Sequence, residues 1–377
     1  MARRNKNKLF TEIEVTDEGA KGKAVAKSPD GRVIFIDNAV PGDVADVQTT
    51  RRRKSYYQGT AVEFHKLSDK RTEPVCRHFG TCGGCKWQNM EYQYQLEYKQ
   101  QEVVNNLRRL GKIELPEVTP ILGSEKIYFY RNKMEFSFSD SRWLTQKEIQ
   151  SGENIENRNA LGFHIPGMWD KILDIEKCHL QEDPSNEIRN FVRDFATENG
   201  LEFFNTRNQE GLLRTLMIRT TSTGELMILI QFYEDRKEQR ELLLNAIAEK
   251  FPGITSLQYV INNKPNDTIY DQDVICYKGR DYIFEEMEGL KFKINAKSFY
   301  QTNSDQAYNL YKIARDYADL KGDELVYDLY TGTGTIAQFV AKQAKKVIGV
   351  EAVPEAISDA KENAERNNIE NVEFYVG

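Results

Sequence analysis

Long apolar runs are missing from this chain. Across 377 residues, with a mean hydropathy of −0.64, no stretch approaches the roughly 20 apolar residues that a membrane-spanning helix needs. A transmembrane helix is therefore excluded, and no membrane partner is expected. The basic start MARRNKNKLF leads into no apolar segment of the kind a secretory signal carries, so a cytoplasmic location is expected. Low-complexity tracts and internal repeats are absent too. Cysteine is scarce, at five residues, yet three of the five fall within ten positions in PVCRHFGTCGGCKWQ, residues 74–88. In a reducing compartment such clustering points to metal ligands or catalysis rather than disulfides.

What remains is a soluble, multidomain composition. Apolar residues at 40% are enough for real cores, and the length suggests two or three domains. The net charge of −6 hides a gradient: through Pro74 there are 15 Lys+Arg against 11 Asp+Glu, a net of +4, which leaves −10 for the remainder. Within the basic part, Arg51, Arg52, Arg53 and Lys54 run, after one intervening residue, into Tyr56 and Tyr57. Cations that meet phosphates beside rings that stack on bases suit nucleic acid; a solvated basic turn is the plain alternative.

Residues 1–66 read as short alternating strands broken by Gly and Pro-Gly turns, the pattern of a small five-stranded, OB-like barrel. A helix is predicted over 91–111, with Tyr92, Leu96, Val103, Leu107 and Leu110 at helical spacing and Gly111 as its stop. Residues 67–290 otherwise mix strands such as KMEFSFS and GELMILIQFY with helices such as SNEIRNFVRDFATENG, an α+β domain that also holds the cysteine loop. From 291 to 377 strand and helix alternate with short connections, as in a doubly wound parallel sheet. With only three such strands, an edge and much of one face would stay uncovered, so this domain is expected to be incomplete in this chain.

The stretch VYDLYTGTGTIAQ, residues 326–338, carries the clearest chemistry. An apolar strand ends in a turn with Gly332 and Gly334, and a helix follows at once, so the backbone can approach a ligand. The third position of a dinucleotide fingerprint is Ala337, an accepted variant, and the glycines alone do not separate NAD from other adenosyl ligands. Asp328 and Glu351 do. Asp328, just before the turn, suits an amino-acid ammonium, while Glu351, 19 residues after Gly332, is placed to accept from two ribose hydroxyls. An amino acid and a ribose without phosphate describe S-adenosylmethionine (SAM).

Three motifs together, C-x5-C-G-G-C at 76–85, SFYQTN at 298–303 and DLYTGTGT at 328–335, make the chain resemble the bacterial RNA (uracil-5-)-methyltransferases over essentially its whole length. The similarity is greatest to the iron–sulfur branch that acts on 23S ribosomal RNA, and the PGDVADV stretch resembles a TRAM domain, a small RNA-binding barrel. The resemblance implies that Cys76, Cys82, Cys85 and the distant Cys178 ligate a [4Fe–4S] cluster. By spacing alone, four thiolates suit zinc equally well. It implies further that Gln301, Tyr330, Thr335 and Glu351 belong to the SAM site, with Thr335 where the family often has Asn. Phe299 would stack on RNA, its alternative being a core aromatic, and Arg131 and Lys133 would meet phosphates. Helix 91–111 is expected to pack on the methyltransferase domain.

In this family a cysteine thiolate adds to carbon 6 of uracil, and a general base later removes the carbon-5 proton. The resemblance puts both residues on later strands, past Gly377, so this chain is expected to be inactive by itself. Cys276, read as lying in a buried apolar strand, is a poor substitute. The expected function is 5-methyluridine formation in 23S rRNA by a monomer. A tRNA target, or RNA binding without catalysis, stand as alternatives; a radical-SAM reading fails on the five-residue first cysteine gap.

Overall fold

Alternating apolar residues close the start of the chain into a barrel. In the computed structural model, which describes residues 7–377, strands β1 (Leu9–Gly19), β2 (Lys23–Lys27), β3 (Val33–Asp37), β4 (Val44–Arg52) and β5 (Tyr56–Lys66) are ordered β1-β2-β3-β5-β4. The basic residues Arg3, Arg4 and Lys6 lie outside the described residues. β3 and β5 pair in parallel, and the other neighbours are antiparallel. Ile13, Val15, Ile34, Ile36 and Val47 fill the interior. Tyr57 fills it as well, which corrects its expected place among RNA-stacking rings. Strand alternation puts Tyr57 inward with Gly59 and Ala61, fully buried, and its hydroxyl donates to Asp30 at 2.8 Å.

The chain divides into two compact units, Met1–Ile127 and Tyr128–Gly377. The first holds the barrel, the cysteine loop and helix α1 (Tyr92–Arg109), which ends one residue before its cap at Leu110 rather than at Gly111. No α1 residue is fully buried. Polar contacts hold it: Gln95 donates to the carbonyls of Trp87 and Met90 at 2.9 and 2.8 Å, and the Tyr92 hydroxyl accepts from the Ser124 amide at 2.7 Å.

The second unit is built on a seven-stranded sheet of β6 (Lys133–Ser139), β7 (Ala160–Ile165), β8 (Met168–Asp174), β9 (Leu213–Thr220), β10 (Leu226–Phe232), β11 (Ser256–Ile261) and β12 (Ile275–Gly279), ordered β12-β11-β10-β9-β6-β7-β8. A short helix, α2 (Gln146–Ser151), separates β6 from β7. Helices α3 (Ser185–Glu198) and α4 (Lys237–Lys250) cover one face, α4 crossing between the parallel strands β10 and β11. The other face receives a hairpin, β13 (Tyr282–Met287) and β14 (Leu290–Asn295), through Met217, Met227, Leu229, Ile283 and Ile294. Farther along the same hairpin face, Met287, Leu290 and Phe292 enter a second core.

That second core belongs to α5 (Ser304–Ala318), β15 (Leu325–Leu329), α6 (Thr335–Ala341), β16 (Lys346–Glu351), α7 (Pro354–Arg366) and β17 (Val372–Val376). The strands form a parallel sheet ordered β15-β16-β17. Leu325, Tyr327 and Leu329 on β15 are exposed. Among the described residues no helix is long and apolar enough to cross a membrane.

Burial shapes the chemistry of the first unit at Glu18. Its carboxylate oxygens are shielded from solvent and lack a close hydrogen-bond partner. Burial, helped by neighbouring Asp17 and opposed by the Trp87 indole, pushes its pKa from 4.5 to about 8. The folded unit thus keeps a proton that the unfolded chain releases near 4.5, and its stability should fall as pH rises from about 4.5 to about 8, then level off. Urea midpoints of a Trp143→Phe, Trp169→Phe background, followed by the remaining Trp87 fluorescence, should show that slope, and Glu18→Gln should remove it; an unchanged slope in the variant would assign it elsewhere.

Candidate functional site

The turn after β15 is built by its own carboxylates. Asp328 Oδ2 accepts from the Thr331 hydroxyl at 2.6 Å and from the Ala337 amide in the first turn of α6 at 3.0 Å. Burial raises its pKa, and these two hydrogen bonds oppose the rise. Asp328 therefore fastens the turn to the helix, which leaves its other oxygen for an ammonium. Glu351, at the end of β16, accepts from the Gly332 amide through Oε2 and from the Val353 amide through Oε1, each at 3.2 Å. A carboxylate offers about four acceptor positions, so two ribose hydroxyls remain compatible with both contacts.

The two glycines do different work. A Cβ on Gly332 would meet nothing within 4 Å, so that side of the turn is open to a ligand. At Gly334, with φ of +78°, a Cβ would sit 2.8 Å from the Phe374 ring, so glycine is what lets the turn settle on the sheet. Tyr330 adopts φ of +65° with its side chain 89% exposed, a conformation rare for a residue with a Cβ. Thr335 opens α6 and is buried, its hydroxyl 3.4 Å from that of Thr333.

The SFYQTN stretch forms the loop between β14 and α5, and it is held from the seven-stranded sheet. Arg219 of β9, almost wholly buried and with no salt bridge among the described residues, donates to the carbonyls of Asn295 at 2.9 Å and Ser298 at 3.0 Å. Burial lowers its pKa to about 10, so it stays charged at neutral pH. Asn132 adds two bonds, to the Gln301 carbonyl at 2.8 Å and the Ser304 hydroxyl at 2.9 Å. Glu285, buried on β13, accepts from Ser304 at 2.8 Å and from the Ser222 amide at 2.9 Å. None of these three anchors was singled out from the sequence. The signal for Arg219 was a cation directly after the apolar run LMI. The Gln301 side chain reaches the Tyr311 hydroxyl, and Phe299 is 72% exposed, which removes the core-aromatic alternative.

The remaining expected residues scatter. Arg51 and Arg52 end β4, Arg53 and Lys54 lie in the turn to β5, and all four are exposed. Arg131 is half-buried, and Lys133 is engaged with Glu135 at 2.8 Å. Cys276 is exposed on the edge strand β12, not buried as expected, because only β11 flanks it. Its thiol is nevertheless pushed up by partial burial and the Asp281 carboxylate.

Cys76, Cys82 and Cys85 share one half-buried loop of the first unit; Cys178 is buried in the second, its amide donating to Asn186 at 2.7 Å. Burial raises the Cys82 thiol, and the neighbouring Cys85 and Cys76 add to the rise. The donor chemistry suits a soft metal or an iron–sulfur cluster. Among the described residues, however, no three Cys, His, Asp or Glu side chains are gathered closely enough to hold a metal ion.

Residues 11–62 match the TRAM domain family, and residues 320–377 match a methyltransferase domain family. The chain is 60% identical over 361 residues to an uncharacterized RNA methyltransferase of Bacteroides thetaiotaomicron, covering 95% of this chain and 79% of the relative. A second, from Porphyromonas gingivalis, is 57% identical over 97% of this chain and 79% of its own length. The chain belongs to the RNA methyltransferase family. Its fold is similar to the crystal structure of Pyrococcus abyssi tRNA (uracil-54, C5)-methyltransferase in complex with S-adenosyl-L-homocysteine (SAH). That likeness has a TM-score of 0.71 and 26% identity over 97% of this chain and 79% of that one.

Gly334→Ala should destabilise the second unit by about 1–3 kcal/mol, through its left-handed backbone and the collision with Phe374. Urea denaturation measures the loss, and wild-type stability would refute the close-approach role.

Proposed function

We propose that the chain, a cytoplasmic monomer, binds SAM and RNA for a uracil-5-methyltransferase reaction that forms 5-methyluridine in 23S rRNA. The observation that carries this reading is the turn at 330–334, open at Gly332 and flanked by the Glu351 carboxylate. The SAH complex of the similar uracil-C5 methyltransferase supports it. Bound SAM would supply an electrophilic methyl group. Glu351 would take the ribose hydroxyls, the second oxygen of Asp328 the ammonium, Tyr330 and Thr335 the adenosyl side, and Gln301 the approach from the SFYQTN loop.

Carbon 5 of uracil is a weak nucleophile, and a thiolate adding at carbon 6 turns it into an enolate. Carbon 5 then takes the methyl group, a base removes the carbon-5 proton, and the re-forming C5–C6 double bond expels the thiolate. Cys276 is not proposed for that thiolate, given its raised pKa. Phe299 would stack on the RNA as the target base leaves its neighbours. Arg51–Lys54, Arg131 and Lys133 would meet phosphates, Lys133 after releasing Glu135.

Deleting the gene and measuring nucleosides by mass spectrometry tests the reading. Loss of one 5-methyluridine from 23S rRNA is expected. Loss from tRNA would favour the second reading, which the tRNA-modifying structural relative supports. Unchanged levels in both RNAs would refute uracil methylation.

We further propose that Cys76, Cys82, Cys85 and Cys178 hold a [4Fe–4S] cluster with a structural or RNA-positioning role. Anaerobically purified protein should carry iron and sulfide, and Cys82→Ser should lose both. Zinc in place of iron would reassign the site, and protein free of either metal would remove it.

A further inference from the structure

A cavity of about 350 Å³ lies in the seven-stranded sheet, away from the glycine turn. Its lining combines aromatic and polar groups in a way the methyl-transfer reading does not use. Phe138 and Phe204 line it, and so does Trp169, the second residue of β8, which is 62% exposed. Ser137 and His164 supply a hydroxyl and an imidazole 3.4 Å apart. Asp267 contributes an exposed carboxylate.

One side of the cavity is held rigid from below. Arg214, nearly buried, donates to the carbonyls of Asn262 at 2.8 Å, Lys264 at 2.6 Å and Pro265 at 3.1 Å. Its guanidinium also lies over the Phe204 ring, 4.9 Å from the centroid. Those bonds fix the segment that leads into Asp267. A buried cation with this many backbone acceptors serves the loop's shape, and the polar groups left facing the cavity are the ones a ligand would meet.

The cavity's position matters as much as its lining. Ser137 and Thr215 are cross-strand partners, and both belong to the sheet face opposite α3 and α4. On that face, Met217 packs with Ala296 and Tyr300, the base of the loop that carries Phe299. Thr215 is two residues from Met217 along β9, about 7 Å. Ser137 and Thr215 of the cavity therefore share a sheet face with Met217, against which the base of the Phe299 loop packs.

From this we infer a second RNA subsite: the cavity receives one unstacked base of the substrate, a guanine, beside the nucleotide that is methylated. The inference rests on the RNA-methyltransferase reading. An aromatic edge takes an unpaired base by stacking, whatever its identity. The carboxylate supplies the choice. Asp267 accepts only, and guanine presents two adjacent N–H donors on its Watson–Crick edge. Uracil presents one N–H between two carbonyls, which a carboxylate repels.

Fluorescence anisotropy on the full chain, with single-stranded oligo(U) carrying one central G, A or C, tests this. The single G should tighten binding on the order of tenfold. Asp267→Asn, at an exposed position, should abolish that gain, and Trp169→Ala, also exposed, should abolish it while weakening the affinity for plain oligo(U) as well. Equal affinity for all four RNAs, a preference for another base, or variants that keep the G preference would overturn the subsite while the function stands. Failure of the wild-type chain to bind any of these RNAs would overturn the RNA-methyltransferase reading and the subsite with it.

Discussion

The second unit turns on one buried cation. Among the described residues Arg219 makes no salt bridge, Glu135 acting on it only through its field, and an unsolvated guanidinium is tolerated only where its donors are met. It meets them with two carbonyls of the loop that joins β14 to α5. Those two bonds hold the ends of the segment that leads into Phe299 and Gln301. Asn132 and Glu285 reinforce the same arrangement from either side. A neutral anchor would have bound the loop more weakly, since hydrogen bonds from a charged donor are roughly twice as strong.

The glycine turn follows a parallel rule with the signs reversed. There two carboxylates accept backbone amides, so the peptide groups at the start of α6 and at Gly332 are fixed before any ligand arrives. Arginine arranges carbonyls on one side and acids arrange amides on the other, and the turn needs no rearrangement to present an open face. Preorganisation of this kind lowers the cost of binding.

Much of this was legible in the sequence. The barrel strands follow from period-two alternation, and the β15–α6–β16 unit follows from an apolar run, two glycines and an acid at a set distance. The parts that were not legible have physical reasons. Tyr57 sits beside a basic run, but its parity along β5 sends it inward. Cys276 lies in an apolar stretch that pairs on one edge only, a property of sheet order that periodicity does not report. The β13–β14 hairpin was announced by Glu288-Gly289, both with positive φ, a two-residue turn signal hidden in a charged segment. Arg219 and Glu285 look like surface residues by type, and only the tertiary contacts that satisfy them explain their burial.

The anchors of the SFYQTN loop have a consequence for how the molecule assembles. The bonds from Arg219 to Asn295 and from Asn132 to Ser304 span 76 and 172 positions of chain. Loops of that size are entropically slow to close, and they repay closure only once the strands at both ends exist. The parallel sheet of β15–β17 is local by comparison, each strand reaching the next through a single helix. The geometry of the glycine turn is thus a short-range property of the chain, while that of the SFYQTN loop is a long-range one. The two stretches proposed to serve one reaction are written at different distances along the same polypeptide.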